Sequence, residues 1–167
     1  RALRHVAGGA DAVGRTLPQD FPITSLTAAT ILEAGEDLSS DRVIREVGPF
    51  AISSVHYIYD KLKENGGDPP PHMRGFWKEY CALVEQTPQR VRHLRVHAGH
   101  CPYLLPEEAK FVTAELIRTT CLAGSADEVL EQVRGLADAG LHQIMLLPSL
   151  ESQRRSLQDF SSKVMAR

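Results

Sequence analysis

The chain is poor in the features that mark a specialised environment. It has three cysteines in 167 residues, Cys81, Cys101 and Cys121, widely spaced and odd in number. That pattern argues against a disulfide framework and implies free thiols in a reducing compartment. Charge of one sign is missing as well: 19 Lys and Arg against 21 Asp and Glu leave a formal net charge of -2. So even a balance gives no electrostatic footprint for nucleic acid or for an acidic membrane surface. No apolar run approaches the roughly 20 residues that span a bilayer, and no secretory leader pattern is visible. Repeats and low-complexity tracts are missing too. The expectation is a cytoplasmic protein that partners neither nucleic acid nor membrane.

What is present is ordinary in bulk and informative in order. Hydrophobic residues make up 43% and charged residues 24%. Residues 1–167 suit one domain with a real core. The chain opens on Arg1 inside a helical pattern, Arg1 to Gly9, with no cap before it. The uncapped start leads to the expectation that a longer protein has been cut here, the alternative being a helix that frays at a natural or processed terminus. Gly8-Gly9 is expected to break that helix, and Asp11 to Thr16 to form a short strand. Ile23 to Leu32 is rich in β-branched residues and reads as a second strand. Ser39 to Asp41 offer helix caps, with Gly48-Pro49 an expected interruption before Phe50, Ile52, Val55, Ile58 and Leu62 continue at helical spacing. Asn65 to Pro71 is the strongest loop signal. Two helices are expected between His72 and Gly99, the second starting at Thr87-Pro88, and another over Thr113 to Thr120.

The last third carries the clearest unit. Leu122 to Gly124 reads as a short strand. Ser125 and Glu128 then form a capping box, and Val129, Leu130, Val133, Leu136 and Ala137 line one helical face. Gly140 is the stop, and Ile144 to Leu147 an unbroken apolar run expected to be covered on both faces. A polar helix, roughly Leu150 to Met165, closes the chain. Four candidate strands near Ala12, Ala28, Leu122 and Leu146, separated by helices, give an α/β class with parallel pairing. Local pattern leaves two architectures open: a small doubly wound sheet, or half of an eight-stranded barrel.

Seven histidines raise the question of metal. His93, His97 and His100 are spaced by four and three, with Cys101 adjacent. The pattern lacks the Glu of a His-Glu-x-x-His site, and Arg90, Arg92 and Arg95 crowd it with positive charge. The expectation is no metal. Cys101 and Cys121 have no activating neighbour in sequence, and Ser125 lacks the second glycine of a nucleophile elbow. Phe76, Trp77 and Tyr80 form an aromatic cluster on a helix and are expected to pack against the barrel or a partner subunit, with a lid over a ligand as the alternative.

Three passages together resemble the luciferase-like family of flavin- and deazaflavin-dependent oxidoreductases. They are Arg1 to Val13, similar to its helix and fifth barrel strand; Leu122 to Val133, similar to its Gly-Thr-Pro-Glu-Glu-Val segment after the seventh strand; and Ala139 to Pro148, similar to its eighth strand. His97 to Glu108, followed by Phe111 to Ile117, resembles a subgroup of that family. The resemblance implies the C-terminal half, strands five to eight, of a TIM-type (β/α)8 barrel, with the N-terminal half missing. It implies a redox coenzyme, FMN or an 8-hydroxy-5-deazaflavin, a small-molecule substrate, and a homodimer or a complementing barrel half as partner. Ligands bind such barrels at the C-terminal strand ends. Arg15 and Thr16 are therefore expected at the coenzyme, with Ile31 to Ala34, Gly124, Ser125 and Leu147 to Ser149 on the same face. Arg1 and Ala2, at the start of the opening helix, are expected near its phosphate. His97 and His100 are expected on a loop facing substrate. The catalytic residues would lie in the missing half. The competing expectation is a non-catalytic half-barrel that pairs with another chain.

Overall fold

A computed structural model describes residues 2–18 and 20–167. The order of elements is α1 (Ala2–Ala12), β1 (Thr24–Thr27), β2 (Ala29–Ile31), α2 (Asp41–Asn65), α3 (Arg74–Glu85), α4 (Arg92–Val96), α5 (Ala114–Thr120), β3 (Leu122–Gly124), α6 (Ala126–Asp138), β4 (Gln143–Leu146) and α7 (Gln153–Phe160). Every strand pair is parallel: β1 with β4, Thr24 opposite Gln143, and β2 with β3, Ala29 opposite Leu122. The chain is therefore α/β with parallel pairing.

β1 and β2 are two halves of one extended segment that serves partners on opposite edges. The carbonyls of Ile23 and Thr27 accept from Gln143 and Leu147, whereas that of Ala28 accepts from Leu122. Alternate residues of a strand point their hydrogen-bonding groups to opposite sides, so odd positions serve β4 and even positions serve β3. The pairings form two two-stranded sheets, β1 with β4 and β2 with β3, set along one extended segment that lies between β3 and β4.

The two faces are covered by different helices. Ala28 and Ala123 meet Val43, Val47 and Val55 of α2 and Leu116 and Ile117 of α5. Ala29, Ile31 and Leu122 meet Val129 of α6, Phe160 of α7 and Val164 of the wide final turn Ser161–Met165. Helices on both faces fit the doubly wound alternative.

Several expectations need correction. Successive strands of a barrel are neighbours, which would put 122–124 between the other two; here the long segment 24–31 lies between them. β3, only three residues long, offers little outer edge, and β4 instead pairs along the first half of the long segment. The strand expected over Asp11 to Thr16 does not form: α1 runs through Gly8 and Gly9 to Ala12 and ends in a turn with Gly14 at φ 67°. Two helical glycines cost about 1 kcal/mol each, but the glycine placed to end the helix by a positive φ is Gly14. α2 likewise continues through Pro49, with Gly48 packed against Leu104 and Val112 so that an added Cβ would stand 3.2 Å from the Leu104 side chain. Burial of both residues compensates the one hydrogen bond that proline removes. The strands covered on both faces are β2 and β3; on β4 Met145 is half exposed.

Other expectations hold. Ser40 caps α2 and Thr113 caps α5. Both arms of the capping box at Ser125 and Glu128 are made. Tyr80 is fully buried, edge-on to Tyr59 and Phe111, as the aromatic face of α3 implies. No helix among the described residues is long and apolar enough to cross a membrane. The substitution Ser125→Ala should lower unfolding free energy by about 1 kcal/mol, read from the urea midpoint at unchanged slope.

Candidate functional site

Parallel pairing brings the C-terminal ends of β2 and β3 together, Ile31 opposite Gly124, whereas β4 ends opposite Thr27, four residues earlier on the long segment; open α/β sheets bind ligands at such strand ends. A charged cluster occupies the end of β2. Glu46, one turn into the buried side of α2, is 5% exposed. Its Oε2 accepts from the Thr30 hydroxyl of β2 at 2.6 Å and from Arg42 Nη1 at 2.7 Å. Its Oε1 faces Arg155 Nε of α7 at 3.2 Å. Arg42 also binds Glu36 through Nε at 2.8 Å and donates to the Ile31 carbonyl at 3.1 Å. Arg155 reaches Glu33 and, at 3.5 Å, Asp159. Three elements are tied together by two guanidinium groups.

The cluster's charges are fixed. Hydrogen bonding to Arg42 is the main cause that holds the Glu36 carboxyl down to about 2, helped by Ser40 and the Glu33 backbone against the opposing effect of burial. The Arg42 guanidinium is pushed above its already high range, chiefly by Glu36. Beside them lie two small clefts. One, of about 180 Å³, is lined by Arg42, Arg45, Glu46, Glu151, Ser152 and Arg155. The other, of about 140 Å³, is lined by Arg45, Ser149, Glu151 and the Pro102 to Leu104 loop. Arg45 is exposed and has no ion-pair partner among the described residues. A wider groove of about 710 Å³ lies at the ends of β2 and β3, but Glu36, Asp37, Asp127, Glu128 and Glu131 make it acidic.

A second cluster sits further along α2. One nitrogen from each of His56, His97 and His100 lies within 4.8 Å of one from each of the others. His56 is 1% exposed; its Nε2 is 3.1 Å from Glu108 Oε1, and its Nδ1 is buried with no hydrogen-bond partner among the described residues. A buried polar atom left this way costs about 1–3 kcal/mol. His97 Nε2 is 2.9 Å from Asp60 Oδ2. Burial, with His97 and His56 alongside, holds the His100 imidazole below its ordinary range. His93 is not part of the group.

The expected site residues are divided by this geometry. Ile31 to Ala34 lie beside Gly124 and Ser125, with the Leu32 amide donating to the Gly124 carbonyl at 2.8 Å, whereas Leu147 follows β4 and donates to the Thr27 carbonyl at 2.8 Å, earlier on the long segment. Arg15 and Thr16 do not join them: they follow α1 with no strand before them and line a groove of about 410 Å³ with Val6, Val13, Leu17 and Phe21. Arg1 lies outside the described residues, and Ala2 is the first residue of α1. His97 and His100 are both exposed, next to each other in a tight turn. Gly99 there has φ 81°, and a Cβ on it would meet the Tyr103 carbonyl oxygen at 2.6 Å. Cys121 is buried and its thiol is pushed up to about 12, which removes it as a nucleophile. Sequence reasoning missed Glu46, Arg42, Arg155 and His56. The spacing Arg42 to Glu46, i to i+4, was the one local signal for the first two.

No protein-family model, curated protein or solved structure matches the chain.

The clefts carry mixed charge: Arg45 and Glu151 line both, Glu46 lines one, and the Ser149 and Ser152 hydroxyls bond each other at 2.7 Å. Volumes of about 140 and 180 Å³ are below the roughly 300 Å³ at which whole-ligand pockets begin. Glu36 offers a sharp check on the cluster. A carboxyl with lowered folded-state pKa stabilises above its unfolded value and loses that contribution as pH falls through the folded one. Melting temperature should therefore fall between about pH 4.5 and about pH 2, and Glu36→Gln should flatten that fall. The variant should also be about 2 kcal/mol less stable at neutral pH, after allowance for partial solvent screening, as measured by denaturant titration. Removing the buried partner, Glu46→Ala, should cost about 1–3 kcal/mol by the same measurement, because Thr30 loses its acceptor and two guanidinium groups each lose one of theirs.

Proposed function

We propose that the chain contributes to a luciferase-like oxidoreductase in which a reduced flavin or deazaflavin acts on a small organic substrate. The observation that carries this reading is the meeting of the parallel β2 and β3 ends beside a fixed charge cluster, with uncommitted Arg45 beside Ser149 and Ser152. When bound, the coenzyme supplies the hydride or oxygen chemistry. The chain's own part is to bind and orient. Arg45 and the serine hydroxyls hold an anionic group at the strand ends, and the Arg42–Glu46–Arg155 lattice keeps that surface rigid. The redox ring would be held by residues beyond these clefts. The resemblance of Leu122 to Val133 and Ala139 to Pro148 to the family supports the same reading.

The test is titration of FMN and of a deazaflavin coenzyme, followed by fluorescence. Saturable binding that Arg45→Ala weakens about tenfold is expected, the loss of one charge-assisted contact. Absence of binding to both coenzymes would sink the proposal.

A second reading, a module that pairs with another chain, is favoured by one feature. Residues 4–12 of α1 are exposed apart from Ala10, and Val6 and Val13 are 42% and 69% exposed. β3 and β4 also have no further strand on their outer edges among the described residues, and open edges invite pairing. Sedimentation should show a species larger than 18.4 kDa. A single sharp monomer peak with cooperative melting would exclude this second reading.

A further inference from the structure

We propose that His56, His97 and His100 form a binding site for a divalent first-row transition metal of the zinc class. The site is independent of the strand-end clefts: His56 lies ten residues beyond Glu46 on α2, about 15 Å along the helix.

The first support is the proximity of the three rings. Their centroids are 6.1 Å (His56 to His97), 6.2 Å (His56 to His100) and 5.3 Å (His97 to His100) apart. Tetrahedral binding at Zn–N of about 2.0–2.1 Å needs nitrogens about 3.3 Å apart, so the rings must close from within 4.8 Å by about 1.5 Å at most. His97 and His100 are exposed side chains at the end of a short helix and in a turn, and they can make that movement.

The second support is independent of proximity. Two of the three rings already have a carboxylate on the nitrogen that a metal would leave free. Glu108 takes Nε2 of His56, and Asp60 takes Nε2 of His97. Carboxylate–histidine–metal relays of this kind fix the tautomer and raise the basicity of the ligand nitrogen. With Nε2–H given to Glu108, Nδ1 of His56 carries a lone pair. That atom is buried and has no partner among the described residues. A metal ion would satisfy it. The two carboxylates also balance the charge of a divalent ion.

The third support reverses the objection from neighbouring arginines. Arg95 is turned to Glu107 at 2.5 Å, and Arg92 donates to the Thr87 carbonyl at 3.1 Å. The groups that meet the histidine rings are acidic, and they come from α2 and from the turn Pro106–Phe111. Three nitrogen ligands leave a fourth position for water or a substrate oxygen, as in open zinc sites.

The experiment is titration with Zn2+ by calorimetry, and with Co2+ by visible absorption, on the metal-stripped protein. One ion per chain is expected, retained against a weak chelator, with the strong visible absorption of a nitrogen-bound tetrahedral Co2+ and a rise in melting temperature on loading. His97→Ala and His100→Ala should each weaken binding at least about tenfold, and Asp60→Asn about 10–100-fold. His93→Ala should leave binding unchanged. His93, His97 and His100 are exposed and Asp60 is half-buried, so circular dichroism melts without metal should stay close to wild type. Failure of the wild-type protein to retain Zn2+, or a pale octahedral Co2+ spectrum, would overturn the proposal. So would equal affinity in the His97→Ala/His100→Ala double variant.

Discussion

The carboxylate of Glu46 is buried where three elements meet, and a buried charge is tolerated only when its partners are complete. Thr30 brings β2, Arg42 brings α2 itself, and Arg155 brings α7 from the opposite face of the sheet. The apolar layers on the two faces are separate and direction-free. The Glu46 lattice is a polar contact that joins helices from both faces at the end of β2. Its geometry sets the relative position of the strand ends, and Arg45 is presented on the same helix one residue away.

A long central strand makes this arrangement possible. The segment from Ile23 to Leu32 alternates its hydrogen-bonding groups, so its first half can hold β4 and its second half β3. The same alternation sends Ala28 and Thr30 towards α2, and Ala29 and Ile31 towards α6 and α7. Small side chains at Ala28, Ala29 and Ala123 let helices approach the sheet closely on both sides. The order of strands then follows from where unpaired edge is available, and it departs from the chain-ordered succession of a barrel.

Helix α2 carries both clusters. Its first turns hold Arg42, Arg45 and Glu46; two to four turns on it places His56 and Asp60 on one face, four residues apart. Continuity through Pro49 is what fixes the separation between the two. A break there would leave the histidine cluster and the strand-end cluster free to move relative to each other. Gly48 packs against Leu104 and Val112 and Pro49 is buried, which covers the helix where a break would otherwise fall.

The local features were legible from sequence because their causes are local. Ser125 and Glu128 satisfy orphan amides three residues apart, Ser40 and Thr113 do the same, and the apolar spacing of Val129 and Val133 selects a face. The parallel α/β class also followed, from strands separated by helices. Tertiary structure decided the rest. Strand order depends on which edges remain open after packing, and residue spacing carries no record of that. The long helix through Gly48-Pro49 survives because distant side chains cover it. Above all, the sign of charge around His97 was misread from Arg92 and Arg95, its neighbours in the chain. Folding turns those arginines to other acceptors and brings Glu108 and Asp60 to the imidazoles, because electrostatic surroundings are set by distance in space.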